Sequence, residues 1–326
     1  MTDKIYIAIL SGGPSSEHEV SLKSGEMVKE GLDKERYEPI PVRIHKDGTW
    51  ELEPKDVQKN AAGVFVAMHG TYGEDGTVQS ILEAQGIPYT GSDSFASALG
   101  MNKFISLRLF WDGGLSVPAS ILLTQREWKK DAATLERRVA HHIGFPLVIK
   151  PNNQGSSVGV HIVKRKEDLR EAFAHTLGFY REVLAQEFIE GREFTCGVLD
   201  HGWSGSAFPL LPTEIVPRVS DFFDYKAKYE EGGSLEITPP ENLTAQEMKK
   251  VRNAALHAHF LIGASGFSRT DMIMDKKGTV YVLEINTIPG LTKESLIPKA
   301  AAASGMSFSD LLDTIVHAGF TRWRRK

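Results

Sequence analysis

The sequence predicts an α/β fold that opens with a parallel α/β unit. Three observations predict it: a buried strand, a glycine-rich turn and a helix follow one another twice in the first third; two further strands flank a glycine- and serine-rich loop; and a β-hairpin lies towards the C-terminal end. Residues 4–10 are an apolar run of strand length, ending in Ser11-Gly12-Gly13-Pro14-Ser15-Ser16, and a helix is expected over about 17–31. Residues 63–68 repeat the pattern, running into His69-Gly70-Thr71-Tyr72-Gly73-Glu74-Asp75-Gly76 and a second helix. Ligands gather where parallel strands end, which makes Glu17 and His69 candidate substrate contacts. The alternative is that Glu17 merely favours the first turn of its helix and His69 is a satisfied loop residue.

A change of composition near Gly86-Ile87-Pro88-Tyr89-Thr90-Gly91 marks a first boundary. Beyond it a helix is expected around Met101 to Trp111, with Lys103 near its start. Strands follow at 145–151 and 160–163, joined by Asn152-Asn153-Gln154-Gly155-Ser156-Ser157-Val158-Gly159. Such a loop lays backbone N–H groups and hydroxyls over a phosphate. It is not a Walker A loop, which needs Gly-Lys-Ser/Thr leading into a helix. Gly155 to Gly159 also fits the G-x-S-x-G elbow of α/β-hydrolases, but that elbow opens a helix, and the residues after Gly159 alternate as a strand does. Residues 183–193 read as a strand, a short hinge and a new strand. There Glu193 could hold ribose hydroxyls while the hinge backbone meets a base edge; the alternative is an ordinary inter-domain connection. Residues 218–240 form a long loop, expected to be a lid or disordered.

The hairpin is the most informative segment. Arg269-Thr270-Asp271-Met272-Ile273-Met274 is followed by the turn Asp275-Lys276-Lys277-Gly278 and by Thr279-Val280-Tyr281-Val282-Leu283-Glu284-Ile285-Asn286. A four-residue turn sets Met274 opposite Thr279, Arg269 opposite Glu284 and Asp271 opposite Val282. Alternation then gathers Arg269, Asp271, Glu284 and Asn286 on one face, and Met272, Met274, Tyr281, Leu283 and Ile285 on a core face. Carboxylates and an amide oxygen converging beside an arginine are costly to hold without a counter-cation. As hard oxygen donors they suit a Mg²⁺ that also binds phosphates. The alternative is a solvated hairpin face with chance charge pairs.

Composition narrows the classes further. A chain of 326 residues with 41% hydrophobic and 25% charged content is that of a globular protein of two or three domains. Net charge of −4 leaves no electrostatic footprint for nucleic acid, and the basic tail Arg322-Trp323-Arg324-Arg325-Lys326 reads as a solvated end. The single cysteine, Cys196, excludes an internal disulfide and reads as a small core hydrophobe in a strand. No apolar run approaches 18 residues and no charged-then-apolar leader opens the chain, so no membrane role and a cytoplasmic location are expected.

Taken together these elements resemble the ATP-grasp superfamily and, within it, the D-alanine–D-alanine ligases. The resemblance spans nearly the whole chain. It rests on residues 12–21, His69-Gly70 with Gly73-Glu74-Asp75-Gly76, residues 154–159, Ala227-Lys228-Tyr229, Arg269-Thr270-Asp271, and Glu284-Ile285-Asn286-Thr287-Ile288-Pro289-Gly290, in the family's order. It implies a parallel α/β substrate domain over 1–92, followed by two α+β domains that sandwich ATP. These are a central ATP-grasp domain with the phosphate flap over 93–186, and a C-terminal one with the metal hairpin and lid over 187–326.

The resemblance also implies roles. Asp271, Glu284 and Asn286 bind two Mg²⁺ (or Mn²⁺) bridging the ATP phosphates. Lys103, Lys150 and the loop around Ser157 hold phosphates, with Lys228 reaching in from the lid. Adenine sits near Glu187, Phe188 and Ile189, and Glu193 takes the ribose. Glu17 meets the amino group of the first D-alanine and is tied to Ser156 and Tyr229. Ser295 and the Leu296 N–H receive the carboxylate of the second, and Arg269 with the Gly290 N–H faces the reacting oxygens. Tyr229 favours an amine acceptor over a hydroxy acid, which implies D-alanyl-D-alanine for peptidoglycan precursors. Members are commonly homodimers. His18 departs from the family's usual arginine and Gln186 from its usual glutamate. A small-molecule kinase, a non-catalytic binder of ATP or amino acids and a serine hydrolase are the competing classes.

Overall fold

A computed structural model describes residues 4–155, 159–201, 206–217 and 234–324. The chain starts with β1 (Ile5–Gly12), α1 (His18–Gly31), β2 (Tyr37–Ile44), α2 (Pro54–Asn60), β3 (Gly63–Val66) and α3 (Thr77–Ala84). The three strands form a parallel sheet in the order β2-β1-β3. Central β1 buries Ile7, Ala8, Ile9 and Leu10 completely or nearly so, which is why its sequence is a continuous apolar run and does not alternate. At its end Gly12 has φ +87°, and a Cβ there would lie 2.4 Å from the Ile44 carbonyl oxygen. Only glycine makes that turn.

Helix α5 (Lys103–Asp112) matches the helix expected around Met101 to Trp111, and α4 (Ser94–Met101), which was not expected, precedes it. Asn102 separates them, with its side chain accepting from the Ile105 N–H as the cap of α5. Next come β4 (Ser120–Thr124), α6 (Gln125–His142), β5 (Leu147–Pro151), β6 (His161–Val163), α7 (Leu169–Phe179) and β7 (Glu182–Glu187). Their strands make an antiparallel sheet, β4-β7-β5-β6. β6 follows Gly159 as a strand, so the helix that a hydrolase elbow needs is not there.

The last part holds β8 (Gly191–His201), β9 (Ser206–Pro209), β10 (Thr213–Pro217), β11 (Ser234–Ile237), α8 (Ala245–Leu261), β12 (Phe267–Asp275), β13 (Val280–Asn286), α9 (Leu296–Ala303) and α10 (Phe308–Arg324). Its sheet runs β11-β10-β8-β12-β13, with β9 beside β8. The segment expected to be loop throughout 218–240 thus contains a strand, because β11 pairs with β10. Cys196 is buried in β8, and burial pushes its thiol up to about 12, as expected of a core residue.

The cores do not follow chain order. The N-terminal sheet shares its core with Ile288, Leu291 and residues of α9 and α10. A Cβ on Gly63 would meet the Phe320 ring at 2.4 Å, so the C-terminal helix lies flush against the first unit. This overturns the reading of the tail as solvated at Arg322 and Trp323. The Arg322 guanidinium sits 4.7 Å from the centre of the Tyr89 ring, and Trp323 packs edge-on against that ring at 5.6 Å.

Candidate active site

The two antiparallel sheets face each other across a cleft. β5 turns Leu147 and Ile149 into the core beneath α7, and alternation points Val148 and Lys150 into the cleft. Opposite them lie Glu193, Thr195, Asp271 and Glu284, while Glu187 at the end of β7 and Phe188 and Ile189 of the link to β8 form a third wall. An apolar and a charged end in one cleft suit a ligand with a flat base and a polyanionic tail.

The hairpin reaches this arrangement through a different register from the one alternation predicts. Asp275 N–H bonds to the Thr279 carbonyl and Gly278 N–H to that of Asp275, which sets Met274 opposite Val280 and not Thr279. A bulge between Asp271 and Met272 then inserts Leu283 as an extra residue, so Asp271 faces Glu284 and Arg269 faces Asn286. The bulge sends the consecutive residues Leu283 and Glu284 both into the cleft. Tyr281, opposite Ile273, also leaves the expected core face, where Val282 is fully buried beside Met272. Arg269, Asp271 and Glu284 still share one face, because the bulge offsets the shifted turn.

Like charges directly opposite one another are unstable unless balanced. Asp271 accepts from Arg269 Nε at 2.9 Å and Nη2 at 2.8 Å, and from Thr195 Oγ1 at 2.7 Å. Glu284 lies 3.2 Å from Lys103 Nζ, whose ammonium also donates to the Gln154 carbonyl at 2.6 Å. Lys150 is buried, and its ammonium makes no hydrogen bond or ion pair among the described residues. Burial pushes its ammonium down to about 8, Glu284 opposes that shift and Lys103 adds to it. Burial also works against the Arg269 charge, but Asp271 and Glu284 hold its pKa above the ordinary arginine value. Lys103, Lys150 and Arg269 thus gather three cations around the two opposed carboxylates, the donors that a polyphosphate requires.

The donor set fits divalent cations. Asp271 and Glu284 present hard carboxylate oxygens across one strand pair, and Asn286 lines the adjoining recess with Glu284 and Glu74. Asn286 Oδ1 already accepts from the Ile288 N–H at 3.0 Å, which fixes its orientation and leaves a second lone pair. No group of three His, Cys, Asp or Glu suited to a metal exists among the described residues, but a Mg²⁺ whose shell is completed by phosphates does not need one.

At the N-terminal rim, a Cβ on Gly70 would lie 2.8 Å from Glu17 Oε2, and one on Gly155 3.4 Å from it. Glu17 therefore stands between the first unit and the glycine- and serine-rich loop. His69 is buried, with Nε2 2.8 Å from Ser24 Oγ, and Nδ1 3.3 Å from Glu74 Oε1 and 3.2 Å from the Ile288 carbonyl. It orients groups around it. Burial raises the Glu74 pKa against the pull of His69, and Glu17 raises it further. Ser295 holds the N-cap position of α9 without a side-chain capping bond, its hydroxyl accepting from the Thr292 N–H at 3.0 Å; a Cβ on Gly290 would lie 2.7 Å from that hydroxyl, and Leu296 lines the cleft. Ser156, Ser157, Lys228 and Tyr229 lie outside the described residues. Glu74 and Thr195 escape sequence reasoning: Glu74 had only its place between Gly73 and Asp75 as a signal, and Thr195 had none.

The profile described as D-ala D-ala ligase C-terminus matches residues 109–317, and that described as D-ala D-ala ligase N-terminus matches residues 6–63 and 53–92. The D-alanine–D-alanine ligase of Syntrophobacter fumaroxidans is 42% identical over 97% of this chain and 97% of its own length. The chain belongs to the D-alanine–D-alanine ligase family. Among solved structures, the D-alanine–D-alanine ligase of Bacillus anthracis complexed with ATP superposes with TM-score 0.81 at 33% identity, covering 98% of this chain and 99% of that one. The VanG D-Ala:D-Ser ligase of Enterococcus faecalis gives 0.82 at 32% identity, covering 96% and 99%. The ligase family's ATP-grasp fold is therefore the fold of this chain.

Proposed function

We propose that this protein ligates two D-alanines to D-alanyl-D-alanine, converting ATP to ADP and phosphate through an acyl phosphate, for peptidoglycan precursor synthesis. The observation that carries the reading is the charged cluster in the cleft, where Lys103, Lys150 and Arg269 surround the opposed Asp271 and Glu284. A carboxylate resists attack by an amine, so it must first be phosphorylated. Lys103 and Lys150 hold the polyphosphate, with the loop around Ser157 above it and Lys228 joining from the lid. Glu187, Phe188 and Ile189 take the adenine and Glu193 the ribose.

Asp271, Glu284 and Asn286 hold two Mg²⁺ or Mn²⁺, which when bound neutralise charge on the transferring phosphoryl group. Glu17, tied to Ser156 and Tyr229 and backed by His69, receives the ammonium of the first D-alanine. Ser295 and the Leu296 N–H receive the carboxylate of the second. Arg269 and the Gly290 N–H stabilise the oxyanion that forms when the second amine attacks. Water must be kept out while the acyl phosphate exists, the task of the lid expected to carry Lys228 and Tyr229.

No helix among the described residues is long and apolar enough to cross a membrane. We assign the protein to the cytoplasm, where ATP is available, and to a homodimer, which sedimentation analysis tests. The function is tested by ADP release against a panel of D- and L-amino acids and D-lactate. ADP release that requires both D-alanine and Mg²⁺ supports the ligase. A stable phosphorylated product would make the protein a kinase, and ester cleavage without ATP a hydrolase.

A further inference from the structure

Helix α9 begins after Ser295 and carries Lys299 one turn further on. The Lys299 ammonium lies 3.0 Å from Glu236 Oε2 on β11 and 3.1 Å from Glu294 Oε2, next to Ser295 in sequence. One cation thus serves two carboxylates beside a helix N-terminus. The side chain of Glu294 is 88% exposed and that of Lys299 38%, so these pairs contribute little to folding stability. Their consequence is local potential. A helix N-terminus attracts an anion through its free N–H groups and partial positive charge, and nearby carboxylates oppose that attraction. With Lys299 the trio carries one net negative charge, and without it two.

We propose that Lys299 is a positioning residue for the acceptor amino acid, holding Glu236 and Glu294 in neutralising pairs so that the acceptor carboxylate is admitted at the start of α9. The inference rests on the reading in which Ser295 and the Leu296 N–H receive that carboxylate. Burial works against the Lys299 charge, but its hydrogen bonds to Glu236 and Glu294 keep its pKa above the ordinary lysine value, so it stays charged wherever the reaction is assayed.

The rate of a ligase that binds D-alanine twice depends on D-alanine concentration in a way that resolves a constant for each site. Lys299→Gln should weaken the acceptor constant about three- to tenfold, leaving the donor constant and the KM for ATP unmoved. Lys299→Arg should retain the wild-type acceptor constant. Glu294→Gln in the Lys299→Gln background should recover part of the loss, which a merely structural role would not do. An active wild type whose acceptor constant does not move in Lys299→Gln, or moves together with the KM for ATP, overturns this inference alone. Wild-type protein that ligates no D-alanine overturns the reading beneath it, and the inference falls with it.

Discussion

Strand β12 carries two polar clusters, one on each face, and they behave as opposites. On the inner face Ser268 Oγ lies 2.8 Å from His259 Nδ1, and His259 Nε2 lies 3.1 Å from Asp200 Oδ1. Gly266 N–H donates to Asp200 Oδ2 at 2.6 Å. Burial raises the Asp200 pKa, but the bonds from His259 and Gly266 outweigh it and hold the carboxylate below its usual range. Serine, histidine and aspartate here have the composition of a hydrolytic triad without its function. Ser268 is wholly buried, and the imidazole presents Nδ1 to the serine and Nε2 to the aspartate, the reverse of the catalytic arrangement. On the outer face Arg269 and Asp271 open onto a cleft where a buried lysine has no direct ionic partner among the described residues. A closed set of hydrogen bonds fixes structure, and a set with unbalanced charge facing a cleft is prepared for a ligand.

Substitutions on the two faces should separate these roles. The largest effect is expected from Asp271→Asn, which removes one of the opposed carboxylates and should lower turnover by on the order of 10³-fold or more; steady-state kinetics on protein shown by calorimetry to be folded at the assay temperature decides it. Arg269→Ala should lower turnover by on the order of 10²- to 10³-fold, and an unchanged rate in folded protein would remove the arginine from the mechanism.

The pH response comes next in size. Lys150 attracts phosphate only while protonated, and its pKa is depressed to about 8. So kcat/KM for ATP should fall as pH rises through about 8, and Lys150→Arg, charged throughout, should lack that limb. A limb that survives in Lys150→Arg belongs to another group. Smallest on activity, Ser268→Ala should leave turnover within about twofold while reducing stability by about 1–2 kcal/mol, as His259 Nδ1 loses its partner. Loss of activity without loss of stability would mean that the inner cluster is functional after all.

Much of this was legible in the sequence because local chemistry dictates it. The run ending at Gly12-Gly13 could only be a buried strand meeting a tight turn, and the loop from Asn152 to Gly159 declared itself by glycines and hydroxyls between strands. Asp271 and Glu284 were found on one face for a partly mistaken reason. Alternation counts residues from the turn and cannot register an extra one, so the Leu283 bulge and the displacement of Tyr281 stayed hidden. Long-range partners were equally invisible. Nothing local joins Thr195 to Asp271, and nothing at the C-terminal end announces that Arg322 and Trp323 will pack on Tyr89. The basic residues at that end look solvated until the first sheet is known to need a cover.

The central claim is that the outer face drives a carboxylate through an acyl phosphate, and the fate of the carboxylate oxygens tests it most directly. With D-alanine carrying oxygen-18 in its carboxylate, each turnover should transfer one labelled oxygen to the released phosphate, with one ADP formed per dipeptide. Unlabelled phosphate accompanying dipeptide formation would contradict the account.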